Sequence, residues 1–183
     1  MSRKGFLYVL VLAFVILVTR PAAAAPAQEG GFSIKQIEPF AYCCLAHKGP
    51  MTDISNVIGR LMQEMQGQNL FATIQGPMIG VYYNSPDEVQ PSELSWEIGF
   101  IVTPQASPLA PLSKKIWEYP TVAATVHTGP YENVSDTIAR LIDWIKDQGY
   151  TVAGPILERY LNNPTEVKPE ELKTEIWIPV EKK

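Results

Sequence analysis

The chain has 183 residues, of which 46% are hydrophobic, and this composition excludes a disordered body. Acids outnumber bases by 19 to 15, for a net charge of −4. That balance argues against a nucleic-acid partner, because phosphates must be neutralised by lysine and arginine.

Residues 1–27 read as a secretory leader. Arg3 and Lys4 precede an unbroken apolar run of thirteen residues, 6–18, and Ala25, Pro26 and Ala27 offer a small-residue cleavage site. The run falls short of the roughly 20 residues that span a bilayer, and Arg20 closes it. The expectation is an exported protein, periplasmic or secreted, with no stable membrane span once cleaved. An uncleaved anchor is the minor alternative. Cleavage removes three bases and no acids, taking the net charge to −7. Residues 28–183 suit one compact domain.

Residues 28–33 form a short flexible lead, and residues 34–48 read as a strand that Gly49-Pro50 breaks. Ile54, Val57, Ile58, Leu61, Met62 and Met65 then recur at steps of three and four. That spacing predicts an amphipathic helix ending between Gly67 and Asn69. Strands follow over about 76–83 and 94–103, joined by the turn-rich residues 84–88. Residues 104–111, with Pro104, Pro108 and Pro111, connect to a second series. It opens with a strand over 117–128, broken at Gly129-Pro130. A helix with Val134, Ile138, Leu141, Ile142 and Ile145 inward comes next and stops at Gly149. Strands over about 155–161 and 172–180 end it, joined through Asn162, Asn163 and Pro164.

The order is the same twice, and so are many residues. His47-Lys48-Gly49-Pro50-Met51 returns eighty positions later as His127-Thr128-Gly129-Pro130-Tyr131, with Ile58 on Ile138, Arg60 on Arg140 and Leu61 on Leu141. After a slip of two, Gly76-Pro77 falls on Gly154-Pro155, Tyr82 on Tyr160 and Glu97-Ile98 on Glu175-Ile176. A duplication this long predicts an α+β fold of tandem β-α-β-β repeats, about 34–103 and 116–181, related by a pseudo-twofold. Antiparallel sheets, each covered by one helix, would leave a ligand cleft between the modules. Cys43 and Cys44 align with Ala123 and Ala124. They read as small strand fillers facing opposite ways, with a redox or metal role as the alternative.

Alternation sorts the site. In the last strand Thr174, Ile176, Ile178 and Val180 belong under the helix, which puts Glu175 and Trp177 on the opposite, cleft-facing row. Glu158 and Tyr160 go to the cleft as well, because Leu157 and Leu161 suit the helix side. The matching positions in the first repeat are Gly80, Tyr82, Glu97 and Gly99. One copy thus offers a carboxylate and an indole where the other has two glycines, and strand glycine marks a close approach by a ligand or chain segment. The expected site is a slot of Tyr82, Tyr131, Tyr160 and Trp177 with Glu158 as its anionic floor, kept open at Gly80 and Gly99. It suits a flat lipophilic cation. The competing readings are a Glu158 paired at the surface with Arg159, Arg140 or a lysine, and aromatics that are ordinary core. Glu97 and Glu175 recur in both copies, which favours a structural role, and His47 and His127 each precede a Gly-Pro turn. No metal-ligand spacing is present, and no cofactor is expected.

The stretches 127–134, 141–145, 148–150, 154–160 and 171–180 resemble the GyrI-like small-molecule-binding family, also found as the effector-binding module of AraC-class and MerR-class activators. The resemblance covers nearly all of residues 28–183 and is strongest from 122 to 180. It implies a tandem repeat with a cleft at the pseudo-twofold, where Glu158 would engage cationic or aromatic ligands. The chain has no helix-turn-helix segment, which turns the expectation away from transcription control and towards a stand-alone binding module. Some stand-alone relatives hydrolyse reactive aromatic compounds, and Glu158 with Tyr160 could act so, Glu158 as general base. Distant SOUL-type relatives bind haem, but only His47 and His127 could supply an axial ligand. A protein-interaction module using the sheet face is a third possibility.

Overall fold

In the computed structural model two fourteen-residue helices, α1 (Ile54–Gly67) and α2 (Val134–Asp147), lie on one face of a single antiparallel sheet. The structure describes residues 28–29 and 31–183; the expected leader, residues 1–27, lies outside the described residues. The ten strands are β1 (Gln28–Glu29), β2 (Ser33–Gln36), β3 (Phe40–Lys48), β4 (Ile74–Tyr82), β5 (Ser95–Val102), β6 (Ser113–Trp117), β7 (Thr121–Thr128), β8 (Tyr150–Val152), β9 (Ile156–Tyr160) and β10 (Lys173–Lys182). Their order is β1-β7-β10-β9-β4-β5-β3-β6, with β2 also on β7 and β8 also on β10. The fold is α+β, as expected, but the two predicted sheets are one. Among the described residues no helix is long and apolar enough to cross a membrane.

Each helix buries one stripe. Val57, Leu61 and Met65 of α1 pack on Trp96, Ile98 and Val102 of β5. Leu141 and Ile145 of α2 pack on Ile176, Ile178 and Val180 of β10. Both helices end on a left-handed residue in matching positions, Asn69 (φ 56°) in the first repeat and Gly149 (φ 78°) in the second. Cys43 faces α1 and Cys44 the opposite side; both are buried and unbridged.

The strands predicted over 34–48 and 117–128 are each cut in two, at Pro39 and at Pro120. The short leading pieces cross over: β2 pairs with β7 of the other repeat (Ser33↔Ala124) and β6 with β3 (Cys44↔Ser113). These two pairings map onto each other at the eighty-residue offset, so the repeats exchange their first strands symmetrically. Lys35 of β2 reaches Glu175 at 2.8 Å, and its counterpart Lys115 of β6 pairs with Glu97. The repeated glutamates therefore clamp the exchanged strands, which is the structural role their recurrence suggested.

The sheet curls strongly on the side away from the helices. Tyr42 and Cys44 of β3 share one apolar cluster there with Val122 and Ala124 of β7, Leu157 of β9 and Trp177 of β10. That face is core.

Candidate functional site

The two repeats meet along β4 and β9, whose register pairs Gly80 with Glu158. These are also the repeat equivalents of one another, so the pseudo-twofold runs between them. At this matched pair one copy carries glycine and the other glutamate.

Here the structure corrects the sequence-based faces. Glu158 and Tyr160 project towards the helices, into the gap between α1 and α2, while Leu157 belongs to the apolar cluster on the reverse face. The leucine of β9 is core of the curled face rather than helix-side packing, and strand alternation alone could not tell which face was which. The gap is a cavity of about 1010 Å³. It contains Tyr82, Tyr131, Glu158 and Tyr160 of the expected set.

Trp177 and Gly99 are not part of it. Trp177 is 7% exposed on the reverse face, edge-on to Phe40 at 6.2 Å and under the Arg159 guanidinium at 4.6 Å. Gly99 is glycine for a backbone reason, since a Cβ there would lie 2.2 Å from the carbonyl oxygen of Cys43. Gly80 underlies the cavity. A Cβ on it would lie 2.7 Å from the Tyr82 hydroxyl and 2.9 Å from that of Tyr160, so its bareness makes room for protein hydroxyls rather than for a ligand.

Above Gly80 those hydroxyls form a chain. Tyr160 donates to Glu158 Oε2 at 3.0 Å, and the Tyr82 and Tyr160 hydroxyls are 2.7 Å apart. Tyr131 stands edge-on to Tyr160, ring centroids 5.7 Å apart, at the mouth. Burial drives the Glu158 carboxyl up to about 7, against the opposing hydrogen bond from Tyr160. Burial also raises the phenols of Tyr82 and Tyr160 well above their usual range, with the Glu158 charge second, so both are protonated throughout the neutral region. Among the described residues no ion pair involves Glu158. The surface-pairing alternative fails on this point, because Arg159 points to the reverse face and pairs with Glu175.

Sequence reasoning missed the apolar wall. Ile54, Ile58 and Met62 of α1, with Met51 before it, face the cavity opposite Met78 and Phe100, and Leu161 to Pro164 close one rim. A signal existed: the apolar face of α1 is two stripes wide, and only the stripe at 57, 61 and 65 is needed against the sheet. In α2 the corresponding Ile138 and Ile142 are covered by core that includes Phe32 and Trp144. The cavity therefore leans towards α1.

His127 is fully buried, its ring bonded to Thr137 Oγ1 at 2.8 Å and to the Pro130 carbonyl at 3.2 Å. His47 meets Asp53 at 3.0 Å. Each histidine braces its own Gly-Pro turn.

Residues 31–181 match the family described as GyrI-like small molecule binding domain. A search of curated proteins found no match. Among solved structures, the EcmrR C-terminal domain is similar at TM-score 0.75 and 20% identity, over 87% of this chain and all of that one. EcmrR in its complex with DNA aligns at TM-score 0.71 and 19% identity, over 84% of this chain and 58% of that one. A hydrolase encoded by lin2189 from Listeria innocua aligns at 0.61 and 12%, over 82% and 91%. SAV2435 bound to tetraphenylphosphonium aligns at 0.56 and 18%, over 82% and 94%. At these identities the likeness is one of fold. The matches correct the expected exported location: the fold is that of a domain of EcmrR, a protein seen in complex with DNA. Export is withdrawn.

Proposed function

Because the chain belongs to the GyrI-like small molecule binding domain family, we propose that it binds an amphipathic aromatic cation in the seam cavity, with Glu158 as the anionic group. The observation that carries this is a carboxylate with no cation of its own on the floor of a largely apolar cavity, whose other polar groups, Ser55, Glu132, Asn162 and Asn163, stand on its walls and rim. A half-buried, unpaired carboxylate in apolar surroundings is costly, and a ligand cation is the partner that relieves the cost. Tyr82, Tyr131 and Tyr160 offer ring faces and edges around it, and ring faces attract cations. Methionines at 51, 62 and 78 give an adaptable wall, which suits a range of hydrophobic shapes over a single one. The volume is at the upper end for small-molecule sites.

SAV2435 is seen with tetraphenylphosphonium, and that cation is the natural probe. Calorimetric titration at pH 8 should give saturable binding at one site per chain. Glu158→Gln should weaken it by at least tenfold, since truncating one member of a buried charge pair costs well over about 1.4 kcal/mol. Equal affinity in a folded Glu158→Gln protein would remove the carboxylate from the account.

A hydrolase reading has its own support. A carboxyl near 7 with a tyrosine hydroxyl at 3.0 Å is poised as a general base close to neutral pH, and one fold relative is a hydrolase. Multiple turnovers of an electrophilic aromatic substrate, lost in Glu158→Gln, would select that reading over binding alone.

A further inference from the structure

The seam holds a hydrogen-bond chain with only one hydrogen on each phenol. Tyr160 donates to Glu158, so its own oxygen must accept from Tyr82, 2.7 Å away. In this polarity the open end of the chain, the Tyr82 oxygen, shows lone pairs to the cavity. Add one proton to Glu158 and the chain can run the other way: the carboxyl donates to Tyr160, Tyr160 to Tyr82, and the Tyr82 O–H turns outward. No covalent bond changes apart from the proton taken up from water; the two phenol hydrogens only rotate.

We propose that Tyr82, Tyr160 and Glu158 form a reversible relay that gives the cavity a second ligand class, neutral aromatic compounds with one strong hydrogen-bond acceptor, when Glu158 is protonated. This rests on the seam cavity being the ligand site. The geometry that carries it is the meeting of both hydroxyls above Gly80, where any larger residue would force them apart. The groups facing Glu158 are Tyr82 from β4, Tyr160 from β9 and Tyr131 from the turn before α2, with Glu132 further out on the same wall. From α1 Ile54, Ser55, Ile58 and Met62 line the same cavity, with Met51 from the turn before it, and the β10 neighbour of Glu158 is Ile176; none of these titrates. The tyrosines stay protonated, which leaves Glu158 as the group that reverses the chain. Its carboxyl, raised to about 7 by burial, places the reversal near neutral pH.

The test pairs two probes of similar shape, tetraphenylphosphonium and triphenylphosphine oxide, titrated by calorimetry between pH 5.5 and 8.5 (conditions of about that span) against the full chain. The cation should bind more tightly as pH rises. The neutral oxide should do the opposite, losing about five- to tenfold, the worth of one hydrogen bond gained in the protonated state. Tyr82→Phe should make oxide binding weak and independent of pH while the cation keeps its rise with pH. Glu158→Gln, whose amide can donate to Tyr160, should hold the oxide at the low-pH affinity throughout. Oxide binding that is flat in the wild type, or that falls with pH equally in Tyr82→Phe, overturns the relay and leaves the cation reading standing. Failure of both probes to bind overturns the two together.

Discussion

Replacing Glu158 by Gln should stabilise the protein, and by an amount that depends on pH. The carboxyl has an ordinary value of 4.5 and sits at about 7 in the fold. A folded-state value above the unfolded one means that the native chain holds the proton between those two pH values while the unfolded chain has lost it. Stability therefore declines as pH rises through that window and is fully diminished above about 7. At about 1.4 kcal/mol per pH unit the ceiling of the loss is about 3.5 kcal/mol. Water inside the cavity would solvate the carboxylate and lower that figure. Glutamine keeps the shape and cannot ionise, so the variant should match the wild type near pH 4.5 and exceed it by 1–3 kcal/mol (about that range) at pH 8. Urea unfolding at both pH values measures it. A variant that is equally stable at pH 8, or less stable there, would refute a strained carboxylate at the seam.

Gly80→Ala should cost about 1–3 kcal/mol, because its Cβ drives the Tyr82 and Tyr160 hydroxyls apart, and it should weaken tetraphenylphosphonium as well. Gly99→Ala meets backbone instead of side-chain ends, so the expected result is little folded protein by circular dichroism. Ile58→Trp, on the cavity wall, should fill the site and abolish probe binding while urea unfolding shifts by no more than about 1 kcal/mol. Arg159→Met leaves Glu175 with only the half-exposed Lys35, costing about 1–3 kcal/mol in urea, yet probe affinity should hold because Arg159 faces the other side of the sheet.

The duplication was plain in the residues, and with it the element order, the helices and the seam where a site could form. Gly80 and Glu158 stood out because repeat equivalents that differ so sharply require a cause, and the Tyr82 and Tyr160 hydroxyls packed over Gly80 supply it. The faces were harder to read. Leu157 is apolar because the sheet curls until its helix-free side is core, and that curl is a property of all ten strands together. Trp177 and Gly99 were misplaced for the same reason: both serve the curled face, one filling it and the other letting β5 approach β3. The exchange of β2 and β6 hid behind single prolines that split what read as continuous strands. The cavity wall on α1 was legible only as a second apolar stripe, whose meaning depends on what the opposite helix leaves uncovered.

The claim that the ligand sits between the helices over the seam is tested most directly by diffraction from crystals soaked in tetraphenylarsonium, located by the anomalous signal of arsenic. One peak between α1 and β9, beside the Glu158 carboxylate and within the ring of Tyr82, Tyr131 and Tyr160, is the predicted result. A peak against Trp177 on the reverse face, or none in the cavity at saturating cation, would contradict it.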